Sequence, residues 1–168
     1  MKPVFVLLCW LFSASLMAQT CLGDGIETAG EDDFEDLGDG EVLHIETQLI
    51  WQRCSLGQTW NGTTCTGTAT KYNWQEALIA AQEADAVDLA GLRLPNIKEL
   101  STITERLCVR PAINEAIFPN TPPDDFWTST PSLEDPVRSW VVAFFNASHS
   151  IKEKDRFVYV RLVRTQLD

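Results

Sequence analysis

The segment from Arg93 to Pro131 constrains the fold of this chain more strongly than any other part of the sequence. Prolines, asparagines and aromatic residues recur there in an order that is typical of a structural scaffold rather than of a catalytic motif. Between Cys108 and Pro136 the density of Pro, Asn, Asp and Ser predicts that long helices and strands are absent. We expect this segment to be ordered all the same, because it carries apolar residues that can anchor it to a core. These anchors are Ile113, Ile117, Phe118, Phe126 and Trp127.

Two helices are predicted from one shared start signal, an asparagine followed three positions later by a glutamate. Asn73 begins the first helix, and apolar residues at helical spacing extend it to Ala84. Asn96 begins the second, whose apolar stripe continues to Leu107. The agreement between the two start signals favours these helix boundaries.

Strands are predicted at both ends of the chain. Apolar residues alternate over 41–46 and 48–53, which is the period of a half-buried strand. Apolar runs over 139–146 and 157–163 predict a second hairpin, joined by a polar turn over 147–155. The order of strands, helices, an irregular segment and strands indicates an α+β fold with antiparallel sheets.

The N-terminus has the pattern of a targeting signal. A lysine is followed by an apolar run that is too short for a confident membrane span and that ends on a small residue, so we expect a signal peptide over 1–18, cleaved before Gln19. An uncleaved anchor is the less favoured alternative. The chain is then divided into this signal, an acidic N-terminal arm over 19–41 and one domain over 42–168. Such a protein is expected in the periplasm, or secreted to the cell surface, with no membrane span after signal cleavage.

Four cysteines remain after signal cleavage, an even number that predicts disulfides in an exported chain. Of the three possible pairings we favour Cys54–Cys65, which closes a short loop around an Asn-Gly turn, and Cys21–Cys108, which follows by elimination. Zinc is the rival explanation, but the chain has no Cys-x-x-Cys pair and only two histidines.

The net charge of −11 is concentrated near the N-terminus. The stretch from Asp24 to Glu41 holds nine acidic residues and no Lys or Arg. This charge disfavours nucleic acid and anionic membranes as partners. We interpret the stretch as a solvated, poorly ordered lead-in segment, with the alternative that it engages a basic partner.

Motifs along nearly the whole predicted mature chain resemble one protein family. They include Gly38-Asp39-Gly40-Glu41-Val42, Ile50-Trp51-Gln52-Arg53-Cys54, Trp74-Gln75-Glu76-Ala77-Leu78, Arg93-Leu94-Pro95-Asn96-Ile97-Lys98-Glu99-Leu100, Pro111-Ala112-Ile113-Asn114, Phe126-Trp127-Thr128-Ser129 and Val160-Arg161-Leu162-Val163-Arg164. In this order they resemble the Lcl C-terminal domain family, named for the C-terminal domain of a bacterial collagen-like adhesin.

The resemblance implies a C-type-lectin-like fold, in which N- and C-terminal strands pair, two helices pack on the sheet and a long loop region carries the binding surface. The namesake adhesin binds sulfated polysaccharides, which requires a basic patch. The negative charge of this chain disfavours that ligand class.

Candidate ligand-binding residues come from the predicted loops. Trp60 lies in the short disulfide loop, where an exposed aromatic ring can stack on a sugar or a partner protein. Polar residues between the apolar anchors, together with the histidine of the 147–155 turn, complete the set. These residues are Thr121, Asp124, Asp125 and His149.

Calcium is the one cofactor for which the sequence offers candidate ligands. Lectins that bind sugar through calcium place a carboxylate before a Pro-Asn or Pro-Asp pair, but Leu94 precedes Pro95 here. A weaker site could form from Asp36, Asp39 and Glu41, where glycines permit a tight turn. A charged turn without an ion is the favoured interpretation.

The sequence favours binding over catalysis. His44 and His149 lie in a predicted strand and a predicted turn, and neither accompanies a nucleophile motif. We expect Arg161 to form an ion pair with an acidic residue such as Glu99. The chain is therefore predicted to be a non-enzymatic, exported binding or adhesion module that recognises a glycan or protein through its long loop region. The alternative is a structural or assembly component of the cell envelope that engages a basic partner through the acidic arm.

Overall fold

A computed structural model describes residues 19–23, 25–88 and 91–166. The predicted signal peptide over 1–18 lies outside these residues. Within the described ranges, no helix is both long enough and apolar enough to cross a membrane. The fold is α+β, as predicted, with two main sheets that are mostly antiparallel and two helices.

The strands and helices are short and follow one another closely. The helices are α1 (Trp74–Asp88) and α2 (Ile97–Ser101). The strands are β1 (Thr20–Cys21), β2 (Phe34–Gly38), β3 (Glu41–His44), β4 (Leu49–Gln52), β5 (Thr59–Trp60), β6 (Cys65–Thr66), β7 (Lys71–Tyr72), β8 (Cys108–Val109), β9 (Asp125–Pro131), β10 (Arg138–Ala143), β11 (Ser148–Glu153), β12 (Val158–Tyr159) and β13 (Val163–Thr165).

A four-stranded sheet has the order β13-β4-β3-β2. The predicted strands over 41–46 and 48–53 are confirmed as β3 and β4, which pair with Val42 opposite Trp51. On the other side of β4, Val163 of β13 also pairs with Trp51, so a C-terminal strand forms one edge of the sheet. Val42, Trp51 and Val163 are fully buried and fix the register.

The acidic segment is part of this sheet, and its interpretation as a poorly ordered lead-in is wrong for residues 29–38. Strand β2 lies inside it and pairs with β3. Ala29 is completely buried, and the ring of Phe34 meets the edge of Phe118 at a centroid distance of 5.4 Å. The abundance of acids concealed these two apolar contacts, which join the segment to the core.

A five-stranded sheet has the order β11-β10-β9-β12-β7 and corrects two predictions. Strand β9 spans seven residues inside the segment that was expected to lack long regular elements. Strand β10 pairs with β11 rather than with the 157–163 run, so the predicted polar turn over 147–155 contains a strand. Strand β11 was missed because an edge strand covered on one side keeps polar side chains, which resemble a turn in sequence.

Helix α1 confirms the predicted start at Asn73. The Glu76 amide donates to the Asn73 side chain at 2.9 Å, and the Asn73 amide donates to the Glu76 carboxylate at 3.1 Å. Helix α2 has the same arrangement at Asn96, but it ends at Ser101 rather than near Leu107. The hydroxyls of the residues that follow donate to backbone carbonyls of the preceding turn and so compete with further helical bonds.

Both predicted disulfides are present. Cys54–Cys65 closes the β5–β6 loop, and Cys21–Cys108 joins β1 to β8 across 87 residues. The interior consists of two apolar clusters, one on each face of the five-stranded sheet. Phe126, Val142 and Phe144 lie in the first, and Trp127 and Val141 lie in the second.

Hydrogen bonds of two further side chains, Gln19 and Glu105, fasten the N-terminal residues beside the Cys21–Cys108 disulfide. The Gln19 side-chain amide donates to the carbonyls of Pro111 and Ile113 at 2.7 and 2.6 Å. The buried carboxylate of Glu105 accepts three backbone N–H groups from two directions. They belong to Thr28 (2.9 Å), Ala29 (2.9 Å) and Leu107 (2.8 Å).

Candidate functional site

A cleft forms where two predicted loop segments meet. Asp124 and Asp125 come from the start of β9, and residues 151–158 come from the end of β11 and the connection to β12. The cleft has a volume of about 490 Å³. We call it the Asp124 cleft; its lining residues are Asp124, Asp125, Ile151, Lys152, Glu153, Arg156, Phe157 and Val158.

The two aspartates of the cleft are each held by a lysine. Lys71 of β7 approaches Asp124 to 2.7 Å, and Lys152 of β11 approaches Asp125 to 3.1 Å. Burial pushes the pKa of Asp124 upward. The hydrogen bonds from Lys71 and from the Asp125 amide outweigh burial, and the pKa of Asp124 lies below its ordinary value. The hydrogen bond to Asp124 raises the pKa of Lys71, so both groups are charged at neutral pH.

The opposite wall of the cleft also combines a carboxylate with cations. Glu153 lies 2.9 Å from the Arg138 guanidinium and 3.6 Å from that of Arg156. Its pKa is lowered, first by a backbone hydrogen bond and then by Arg138. Phe157 stands at the rim with 60% of its surface exposed. The cleft therefore offers an exposed aromatic ring beside a floor of balanced, fixed charges.

Trp60 lies on a different surface from the Asp124 cleft. Its ring packs on Gly40, where an added Cβ would come within 2.8 Å of the Trp60 Cβ. The Arg53 guanidinium carbon lies 5.1 Å from the ring centroid. The indole is half-buried, and its free face borders a smaller cleft beside the Cys54–Cys65 disulfide.

The other predicted ligand-binding residues have separate surroundings. Thr121 is buried, and its hydroxyl donates to the Phe118 carbonyl at 2.7 Å, so it faces the core rather than a ligand. His149 is exposed on β11, and its Nε2 lies 2.9 Å from the Ser101 hydroxyl. The structure thus brings together Asp124 and Asp125 and leaves Trp60, Thr121 and His149 outside their cleft.

A comparison with protein families gives the chain its family. The model described as the Lcl C-terminal domain matches residues 40–164, well over half of the chain. The chain belongs to the Lcl C-terminal domain family. No curated protein matches it. The match includes both walls of the Asp124 cleft, so the cleft lies within the family domain.

The matched Lcl C-terminal domain begins at Gly40, yet the fold extends beyond it. Strand β2 and Gln19 precede the matched range. Glu105 lies inside the range but binds Thr28 and Ala29, which precede it. Since Phe34 packs in the same core as the family residues, the N-terminal segment completes the domain in this chain.

Two of the three candidate calcium ligands, Asp36 and Glu41, are engaged by arginines. Arg53 binds Asp36 at 2.8 Å, and Arg164 binds Glu41 with two hydrogen bonds of 3.0 and 2.6 Å. The pKa of Asp36 is lowered mainly by the hydrogen bond from the Gly38 amide and to a smaller extent by Arg53. The structure does not bring these acids to one point with Asp39: among the described residues, no three His, Cys, Asp or Glu side chains are grouped to hold a metal ion.

Arg161 is the main residue of the domain whose role was predicted wrongly. It does not pair with Glu99, which instead binds Arg93 through two hydrogen bonds of 2.8 Å. Arg161 is completely buried and donates to the carbonyls of Gln52 and Arg53 and to the Thr121 hydroxyl. Burial lowers the pKa of Arg161 to about 9. No sequence signal could reveal this, because two of its acceptors are backbone groups more than 100 residues away.

Proposed function

We propose that this protein is an exported, C-type-lectin-like binding module that holds a glycan in the Asp124 cleft. The observation that carries the proposal is the exposed Phe157 ring beside ion-paired carboxylates. An aromatic face stacks on the C–H face of a sugar ring, and fixed carboxylates accept hydrogen bonds from its hydroxyls. The two disulfides suit the oxidising periplasm or cell surface, where we place the protein.

The charge balance of the cleft narrows the class of glycan. Lys71 and Lys152 each face an aspartate, and Arg138 and Arg156 are balanced by Glu153 together with Asp135, which also binds Arg138. A sulfated polysaccharide would place its negative charges against Asp124 and Asp125 without an uncompensated base to hold them. We therefore propose a neutral or zwitterionic glycan.

Binding without catalysis is also part of the proposal. A carboxylic acid that donates a proton at neutral pH needs a raised pKa. The pKa values of Asp124 and Glu153 are both lowered by their cationic and backbone partners. These carboxylates are suited to accept hydrogen bonds and unsuited to act as general acids.

A glycan array followed by titration calorimetry tests the proposal. We expect Phe157→Ala to weaken binding of the glycans that the protein retains by about tenfold, equivalent to about 1.4 kcal/mol. Phe145→Ala is the matched control, because Phe145 is also a surface phenylalanine, 42% exposed, but lies outside the cleft. Equal affinities of the two variants would remove the cleft from consideration. If no glycan on the array binds, and a protein ligand is found whose binding Phe157→Ala abolishes, the ligand of the cleft is a protein rather than a glycan.

A second candidate function rests on the acidic edge of the four-stranded sheet. Glu31, Asp32 and Glu35 are exposed on or beside β2, which holds them in fixed positions. Such an edge could engage a basic envelope partner. Deletion of this segment would remove Phe34 from the core, so the test is the triple substitution E31Q, D32N and E35Q. If the wild-type protein captures a basic partner that the triple variant loses, and neither protein binds a glycan, this function is favoured over the first.

A further inference from the structure

Strand β11 is a free edge of the five-stranded sheet. Among the described strands it pairs only with β10, through all six of its residues. An antiparallel strand directs alternate backbone N–H and C=O groups away from its neighbour. The outer side of β11 therefore presents a row of backbone groups that can pair with another strand.

The charged side chains of β11 do not protect this edge in the usual way. Lys152 is directed to Asp125 on the sheet, and Glu153 is directed to Arg138 on β10. Ile151 lies between Ser150 and Lys152 on β11. It is half-buried and lies opposite the half-buried Trp140 of β10. The apolar surface of the sheet thus continues to the centre of its free edge.

We propose that β11 pairs antiparallel with β11 of a second copy of this chain, with Ile151 on the two-fold axis. Pairing about a two-fold axis perpendicular to the sheet must be centred on one residue, because residues opposite each other share a face. With Ile151 at the centre, His149 lies opposite Glu153 of the partner copy and Ser150 lies opposite Lys152 of the partner copy. The two isoleucines meet at the axis.

The neighbouring registers are less favourable. A centre at Lys152 places two lysines directly opposite each other, which destabilises a strand pair. A centre at Ser150 places His149 opposite Ile151 of the partner copy and forms no ion pair. Of these three registers, the one centred on Ile151 alone combines an apolar pair with pairs of complementary polarity, and this self-complementarity favours a second copy as the occupant.

The contact would be small. Two six-residue strands bury less than the roughly 1,200 Å² of a stable protein interface, so the dimer is weak and depends on concentration. The pairing would extend the sheet to ten strands across the two copies. If the Asp124 cleft binds as proposed, the dimer also places two clefts near each other, because Ile151, Lys152 and Glu153 line that cleft.

Sedimentation velocity of the purified protein from about 1 µM to about 1 mM tests the dimer. We expect a reversible monomer–dimer equilibrium that Ile151→Lys weakens by at least about tenfold. Ile79→Lys is the matched control, since Ile79 is 46% exposed on α1 and is remote from the proposed contact. Circular dichroism confirms that both variants fold.

A charge exchange tests the register separately from the fold. His149→Glu faces Glu153 of the partner copy and should weaken the dimer, whereas the combination with Glu153→Lys should restore it. Hydrogen exchange of β11 amides should slow as protein concentration rises, and that of β2 amides should not. A monomer at all concentrations, or a dimer that Ile151→Lys and Ile79→Lys affect equally, would overturn the proposal. Neither result bears on glycan binding, which is measured on the monomer.

Discussion

Replacement of Glu105 by glutamine should destabilise the fold by far more than the loss of one surface charge. Glu105 is 4% exposed, and both of its carboxylate oxygens accept backbone N–H groups. Oε2 serves Thr28 and Ala29, and Oε1 serves Leu107. Glutamine keeps one oxygen and replaces the other by an NH2 group, which cannot accept a hydrogen bond.

The size of the effect follows from the number of donors left without an acceptor. If the glutamine oxygen faces Thr28 and Ala29, the Leu107 amide loses its acceptor; in the other orientation, two amides do. An unsatisfied buried N–H costs about 1–3 kcal/mol, and the remaining bonds lose their charge assistance, so we expect a loss of about 2–4 kcal/mol. With a urea m-value of about 2 kcal/mol/M, the unfolding midpoint should fall by about 1–2 M.

The measurement is urea unfolding followed by tryptophan fluorescence, with Glu35→Gln as the control. Glu35 lies in the acidic segment that Glu105 binds, but its side chain is exposed, so its replacement should change stability by less than about 0.5 kcal/mol. If Glu105→Gln and Glu35→Gln unfold at the same urea concentration, the Glu105 carboxylate does not fasten the N-terminal segment and the reasoning is wrong.

Three further changes test other parts of the structure. Phe34→Ala should lower the free energy of unfolding by about 3–5 kcal/mol in urea titrations, because the ring is buried against Phe118. A change below about 1 kcal/mol would mean that the acidic segment does not pack on the core. Arg161→Ala should leave two buried carbonyls without donors and cost about 2–4 kcal/mol by the same method, and a neutral result would contradict the hydrogen bonds assigned to its guanidinium. The folded-state pKa of Asp124 lies below its ordinary value of 3.8, so its contribution to stability is present above that pH and is lost as the pH falls through the folded pKa. Thermal melts of Asp124→Asn should therefore be lower than wild type at pH 7 and converge with wild type in acid; a constant difference would exclude the Lys71–Asp124 pair as the cause.

Sequence reasoning located the features that depend on neighbouring residues. The starts of both helices were predicted because each cap joins residues three positions apart, Asn73 with Glu76 and Asn96 with Glu99. The Cys54–Cys65 pair was found for a similar reason, since its loop contains a local turn signal. Asp124 and Asp125 were selected as polar residues between apolar anchors, and both line the cleft.

The features that sequence reasoning missed depend on contacts between distant segments. Strand β11 has a polar sequence, and only its pairing with β10 distinguishes it from a turn. Glu105 and Arg161 bind backbone groups, which every residue has and which therefore leave no trace in the sequence. Lys71 reaches Asp124 across 53 residues, so the charge balance of the cleft emerges only in the folded chain.

The positions of the four disulfide-bonded cysteines have a consequence for biosynthesis. If the chain enters an oxidising compartment N-terminus first, Cys21 becomes available to oxidants well before its native partner, Cys108, has entered. During that interval Cys54 and Cys65 are the competing thiols. Their own separation of 11 residues makes mutual capture much more frequent than capture of Cys21, because the probability of closing a loop falls with its length. Rapid closure of the short loop thus removes both competitors and keeps Cys21 reduced until the native partner arrives, so the spacing of the cysteines itself guides oxidation towards the native pairs.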